Sequence, residues 1–169
     1  MNQKQNNDRE FKEMDKIELI PIAFVSNDRD HLADDDWGEV VSEIILRENF
    51  SSELFKGLET FSHVEVIFVF HRIPADKKVP ASRHPRNNKN WPKLGLLAQR
   101  SAHHPNPIGL CTARILDVKD SVLTVQGLDA VNGSPILDIK PVFHEFTPRD
   151  TKQPGWVSEL LKDYWKTDS

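Results

Sequence analysis

Arg100, His103, His104 and Asn106 stand close together, spaced by Ser101, Ala102 and Pro105 and followed at once by Pro107-Ile108-Gly109-Leu110. A guanidinium and two imidazoles in so short a span can hold a carboxylate or phosphate, bond a ring nitrogen, or carry a proton near neutral pH. Pro105 and Pro107 fix their own φ and push His104 and Asn106 toward extended geometry, so these side chains are presented from a stiff loop. Such a loop is either a ligand site or a rigid strand connection with wetted polar residues. Other candidate groups are His71-Arg72 where an apolar run ends, the turn Asp129-Ala130-Val131-Asn132-Gly133-Ser134-Pro135, and Asp138 with Lys140, which share one face and read as a surface pair. A metal hydrolase would have to draw on His63, His71, His103, His104 and Asp138, but adjacent histidines between prolines lack the helical i, i+4 spacing of common zinc pairs. No metal is expected. Cys111, the single cysteine, sits among apolar residues and reads as a small buried thiol rather than a nucleophile.

The elements that must position these groups read as strands. In Val64 to His71 the residues Val64, Val66, Phe68 and Phe70 alternate with Glu65, Ile67, Val69 and His71, the pattern of a central strand. Leu94 to Gln99 is expected to be a strand delivering Arg100, and Gly109 to Val118 a strand leaving the loop, followed by Val122 to Gly127 and Ile136 to Lys140. Upstream, Ile17 to Ser26 is β-compatible with Pro21 marking an edge or a strand start, and Val40 to Leu46 is a further strand. Ser51-Ser52 cap a short helix that Gly57 stops. Near the end, Trp156, Val157, Leu160, Leu161, Tyr164 and Trp165 form the apolar stripe of a helix that packs on the body or on a partner chain. The expected fold is mainly β, a small antiparallel β-barrel with short helices: residues 1–16 a loose leader, 17–150 the barrel, 151–169 a C-terminal helix.

With 169 residues and 19.4 kDa the chain can enclose a core without disulfides. The polar start, Met1 to Glu10, and the interruption of the densest apolar run by Glu65 support neither export nor a membrane span, and a cytoplasmic location is expected. The net charge of -4 conceals an asymmetry, because Arg72, Lys77, Lys78, Arg83, Arg86, Lys89, Lys93 and Arg100 face only Asp76 over residues 72–100. A basic run broken by prolines and containing Trp91 favours a polyanion such as nucleic acid over a merely solvated loop. Asp28, Asp30, Asp34, Asp35 and Asp36, ahead of Trp37-Gly38, read as an exposed acidic loop, although the tryptophan could cap a pocket.

Ser62-His63, Phe68-Val69-Phe70-His71, Arg100-Ser101, Pro105-Asn106-Pro107-Ile108-Gly109 and Asp138-Ile139-Lys140-Pro141, in this order over roughly residues 20 to 145, resemble the TsaA-like, or TrmO, family. The resemblance implies a homodimeric β-barrel that binds S-adenosylmethionine and methylates N6 of threonylcarbamoyladenosine next to the anticodon of tRNA. It implies donor contacts at His71, Arg72, Arg100, Leu110, Asp129, Ala130, Val131 and Asn132, with Asp36-Trp37 closing the site. The chain departs from the family pattern at Asp34-Asp35-Asp36, where Pro-Arg-Gln is common, and at Ala102, His104, Asn132, Ser134 and Val142. No residue is assigned as the base: His71, His103 and Asp138 could each accept a proton. The alternatives are a non-catalytic nucleic-acid-binding barrel and an S-adenosylmethionine-dependent methyltransferase with a different substrate.

Overall fold

The computed structural model describes residues 17–32, 34–74 and 76–166, and the leader expected over residues 1–16 lies outside the described residues. The strands are β1 (Ala23–Ser26), β2 (Val41–Leu46), β3 (His63–Val69), β4 (Ser82–Arg83), β5 (Leu94–Gly95), β6 (Ile108–Lys119), β7 (Val122–Gln126) and β8 (Pro135–Pro141), followed by one short helix, α1 (Gly155–Leu160). Six of them close a fully antiparallel barrel in the order β1-β2-β7-β6-β3-β8, while β4 and β5 pair apart. The expected β-barrel is therefore the observed architecture. Closure leaves the barrel strands no free edge, which is how a sheet of short strands avoids exposing unpaired N–H and C=O groups.

The alternation in sequence becomes the inside and outside of the barrel. Val64, Val66 and Phe68 of β3, Ile44 of β2, Leu123 and Val125 of β7 and Ile136 of β8 are fully buried, while their sequence neighbours face outward. Cys111 and Ala113 supply the small residues of the inner face of β6. The longest strand, β6, serves two neighbours: Ile108 to Arg114 pairs with β3 and Arg114 to Lys119 with β7, with an irregularity between Ile115 and Asp117. A bulge at this position increases local twist and lets one strand turn the corner of a small barrel.

Three expected elements are corrected. The strand predicted over Leu94 to Gln99 is only Leu94–Gly95, after which Leu96–Ala98 forms a 3-10 helix; the Gln99 side-chain amide donates to the Arg83 and Leu94 carbonyls, so local bonds replace a ladder. The strand predicted from Ile17 begins at Ala23, because Pro21 has no N–H to give to a ladder, while the Ile22 N–H donates to the Ile136 carbonyl at 2.8 Å. Of the helix predicted over 151–169, the described residues form helix only at Gly155–Leu160, and residues 167–169 lie outside the described residues. Beyond it the carbonyls of Asp163 and Tyr164 accept from the N–H groups of Asp36 and Trp37, at 3.3 and 2.9 Å, and the chain runs on in turns rather than in a helix.

Gly109 of β6 lies opposite Phe68 of β3, and a Cβ on Gly109 would overlap Cζ, Cε1 and Cε2 of the Phe68 ring. The ring has no retreat, since Phe68 is fully buried and stands edge-on to Phe70 at 5.0 Å. Gly109→Ala should therefore destabilise the barrel by about 3 kcal/mol, the upper part of the range for overpacking, measured by urea unfolding.

Candidate functional site

The turn from Asp129 to Ser134 is the hub of the site. It reaches β8 by a turn in which the Ser134 N–H donates to the Val131 carbonyl at 3.1 Å, with Gly133 at φ +78°, a left-handed conformation that glycine adopts without strain. Val25 grips it from both sides: the Gly133 N–H donates to the Val25 carbonyl at 2.8 Å and the Val25 N–H to the Ser134 carbonyl at 3.0 Å. Asn27 adds a third tie, its side-chain amide donating to Ser42 Oγ at 2.8 Å and to the Ala130 carbonyl at 2.9 Å. Because Ser42 and Ser134 are both buried, these bonds satisfy polar groups that would otherwise be stranded beside the core.

On one side of this turn stand His71, Arg72 and Asn132. The Asn132 amide donates to Asp30 Oδ1 at 3.2 Å, and Arg72 pairs with the same carboxylate at 3.6 Å while also donating to the Asp30 carbonyl. His71 Nδ1 is 3.4 Å from Ser134 Oγ. Partial burial, and then the Arg72 charge, depress the His71 pKa below its usual 6.5 and favour the neutral imidazole. On the other side stand Arg100, Leu110 and Asp129. Arg100 donates to the Leu110 carbonyl, and its charge is felt at Cys111 and Tyr164. Tyr164 donates to Asp129 Oδ2, whereas Asp129 Oδ1 is buried with no hydrogen-bond partner among the described residues.

The proline loop, residues 100–110, is as stiff as Pro105 and Pro107 suggest. Its Pro107 carbonyl accepts from the Phe70 N–H at 2.8 Å, Lys77 Nζ donates to the Ala102 carbonyl at 3.1 Å, and His104 Nε2 bonds the Gln99 carbonyl at 2.8 Å. His104 is thus a brace, while His103 is held below its usual pKa by burial first and then by Lys77 and Arg83. Cys111 is buried, its Sγ 3.3 Å from the Gly127 carbonyl, and burial followed by the Asp129 charge push its thiol far above the ordinary range. Such a thiol is no nucleophile at neutral pH.

The remaining predicted residues occupy supporting positions. Ala130 and Val131 are buried, so only their backbone can meet a ligand. Trp37 is also buried, with the Arg29 guanidinium 4.6 Å above its ring, while Asp36 beside it is exposed. The acidic loop is exposed at Asp28, Asp30, Asp34 and Asp36, as expected, but it is also tied down by two arginines. Arg86 makes a two-pronged pair with Asp35 at 2.7 and 2.8 Å and donates to the Asp34 carbonyl at 2.9 Å, and Arg29 bonds the carbonyls of Asp35 and Asp36. Bidentate geometry on half-buried groups makes this a firm clamp, worth about 1 kcal/mol. Asp138 pairs with Lys140 at 2.7 Å on the surface, as its spacing suggests.

The basic run divides in two. Arg72 and Arg86 are neutralised in ion pairs, whereas Lys78, Lys89 and Lys93 are exposed and make no ion pair among the described residues. Trp91 Nε1 donates to Glu159 of α1 at 3.0 Å, which makes it a brace between loop and tail. Among the described residues no group of three His, Cys, Asp or Glu side chains could hold a metal ion, and no helix is long and apolar enough to cross a membrane.

Residues 35–147, well over half of the chain and including the proline loop and the hub turn, match the family model of the tRNA-methyltransferase O N-terminal domain. The chain belongs to this family. It is 42% identical over 94 residues to the tRNA (adenine(37)-N6)-methyltransferase of Escherichia coli, covering 53% of this chain and 40% of that protein. It is 34% identical over 108 residues to a probable S-adenosyl-L-methionine-binding protein of Pyrococcus abyssi, covering 64% and 56% respectively. A crystal structure of TrmO superposes with a TM-score of 0.67 at 26% identity, over 86% of this chain and 63% of that one. The chain spans roughly half the length of these two sequence relatives or less.

Four residues of the site in this TrmO-family chain escape a reading of the sequence. Asn27, Arg29 and Arg86 act through backbone carbonyls and a distant acidic loop, and only Arg29, a lone cation among aspartates, carries a local signal. Tyr164 is the single tyrosine of the chain, hidden within an apolar stripe. Because its folded-state pKa lies below the unfolded value, neutral His71 contributes stability that is complete above pH 6.5 and is lost as pH falls toward the folded value. An NMR titration should place the His71 midpoint below 6.5, and Arg72→Ala should raise it.

Proposed function

We propose that this chain is an S-adenosylmethionine-dependent methyltransferase acting on N6 of threonylcarbamoyladenosine next to the anticodon of tRNA. The observation that carries the reading is the buried Asp129 Oδ1 with no hydrogen-bond partner among the described residues, inside the family-matched segment that also holds Arg100 on the Leu110 carbonyl. The fit to the donor is chemical: a carboxylate oxygen lacking a partner requires a hydroxyl or ammonium, both of which S-adenosylmethionine carries, and Arg100 can meet its carboxylate. The naming of relatives as tRNA (adenine(37)-N6)-methyltransferases supports the acceptor.

S-adenosylmethionine supplies a methyl group on a sulfonium, which leaves by in-line displacement without covalent help from the protein. The chain's part is to position and to manage a proton. The hub turn and the proline loop hold Arg100, Asp129 and Asn132 at fixed places, so little ordering remains for the moment of reaction. The N6–H must lose its proton. Of the three candidate acceptors, Asp138 is engaged by Lys140 and by the Ile139 N–H, which leaves His71 and His103, both biased toward the neutral, accepting form.

The proposal includes a homodimer. Leu110 and Ile108 point outward from β6, 44% and 42% exposed, immediately beside Arg100, so the donor would be open to solvent on that side unless a second copy covered it. By contrast Trp156, Val157, Leu160, Leu161 and Tyr164 of the C-terminal stripe are half-buried against their own chain, and only Trp165 of the stripe is exposed. The site of action is the cytoplasm, where tRNA is modified.

Calorimetric titration should show S-adenosylmethionine binding to the wild type and roughly tenfold weaker binding to Arg100→Ala with an unchanged thermal midpoint. Absence of binding to the wild type would remove the reading. For the acceptor, replacing Lys78, Lys89 and Lys93 together by Gln should weaken tRNA binding and lower the slope of log affinity against log salt by about 2 to 3, leaving donor affinity intact. An unchanged slope would place the tRNA elsewhere.

A further inference from the structure

The C-terminal segment lies outside the family-matched residues 35–147, yet it is built into the site. Its backbone runs beside the loop that precedes β2, the Trp37 N–H donating to the Tyr164 carbonyl at 2.9 Å. The contact is close enough that a Cβ on Gly38 would come within 2.5 Å of the Trp165 carbonyl oxygen, and the Trp165 ring lies 3.5 Å from where a Cβ on Gly127 would stand. Glu159 adds a bond from Trp91 at 3.0 Å. Docked in this way, the segment delivers the Tyr164 hydroxyl to Asp129 Oδ2, and burial first, then the Asp129 charge, hold the phenol protonated well above its ordinary range.

A phenol that stays protonated can only donate to this carboxylate. By binding one oxygen it fixes the rotation of the group about its Cβ–Cγ bond and thereby aims the other. That other oxygen, Oδ1, is the buried atom with no partner among the described residues. Left unbonded it is costly, and the Cys111 thiol, which interacts with the Asp129 side chain, is too weak a donor to replace a full hydrogen bond, so the oxygen is left for a ligand to satisfy.

Resting on the methyl-donor reading above, we propose that Tyr164 is a positioning residue that orients Asp129 so that Oδ1 accepts a hydrogen bond from a hydroxyl or ammonium of the donor. The C-terminal segment is then part of the donor site, supplied by the same chain.

The test is a double-mutant cycle read by calorimetry with S-adenosylmethionine on the full chain. Tyr164→Phe should weaken binding roughly tenfold, Asp129→Asn should weaken it at least as much, and the double variant should be no weaker than Asp129→Asn alone. Tyr164→His, whose ring N–H can donate to the carboxylate, should recover part of the loss, an outcome that a purely packing role of the tyrosine would not give. Titration with 5′-methylthioadenosine separates the two donor groups: a similar loss in Tyr164→Phe assigns the bond to a ribose hydroxyl, and a loss confined to S-adenosylmethionine assigns it to the ammonium. Wild-type affinity in Tyr164→Phe, or strict additivity in the cycle, overturns the role of Tyr164 while leaving the methyl-donor reading in place. Failure of the wild type to bind S-adenosylmethionine overturns both.

Discussion

The barrel closes along its shortest seam, and the rest of the molecule depends on that closure. β1 meets β8 through only two residue pairs, Ala23 with Ile136 and Phe24 with Pro135. Two pairs are few for a seam that must exclude water from a core containing Val25, Phe68 and Ile136. The turn before β8 makes up the difference, continuing the ladder through the bonds of Gly133 and Ser134 to Val25 and of the Asn132 N–H to the Arg29 carbonyl at 3.0 Å. The candidate site therefore lies on the closure itself. Its residues are rigid because the barrel cannot close without ordering them, which is the kind of preorganisation a positioning-dominated reaction requires.

A second consequence concerns charge. The acidic loop and the basic run, which composition alone presents as two opposed patches, are partly spent on each other: Arg86 on Asp34 and Asp35, Arg72 on Asp30. These pairs tie the loop before β2 and the long β3–β6 connection to the two flanks of the hub turn. What remains exposed is a smaller set of lysines on the long connection, so the face available to a polyanion is narrower than the sequence count suggests. The departure from the family's common Pro-Arg-Gln stretch at Asp34 to Asp36 has a physical counterpart in this clamp.

Much of this was legible in the chain itself. Period-two alternation over 64–70 and 122–126, the cap at Ser51, the edge signal of Pro21 and the stiff Pro105-Asn106-Pro107 loop are local properties of bond geometry and side-chain polarity, and each has its counterpart in the structure. So is the inert Cys111, whose apolar neighbours predict its burial. The motifs that mark the family lie on β3, the proline loop and β8, of which β3 and β8 contribute Val64, Val66, Phe68 and Ile136 to the core.

Tertiary structure decided what distance in sequence conceals. Leu94 to Gln99 has the composition of a strand, but a strand needs a neighbour, and with the barrel already closed by six others the segment turned into a 3-10 helix held by Gln99. The C-terminal stripe has helical spacing, but the helix ends at Leu160 and the Asp163 and Tyr164 carbonyls beyond it accept from Asp36 and Trp37. Tyr164 reaches Asp129, Arg86 reaches Asp35 and Asn27 reaches Ala130 across 35, 51 and 103 residues. A side chain's type and its nearest neighbours determine which bonds it can make. Only the closure of the barrel determines which groups are within reach to make them.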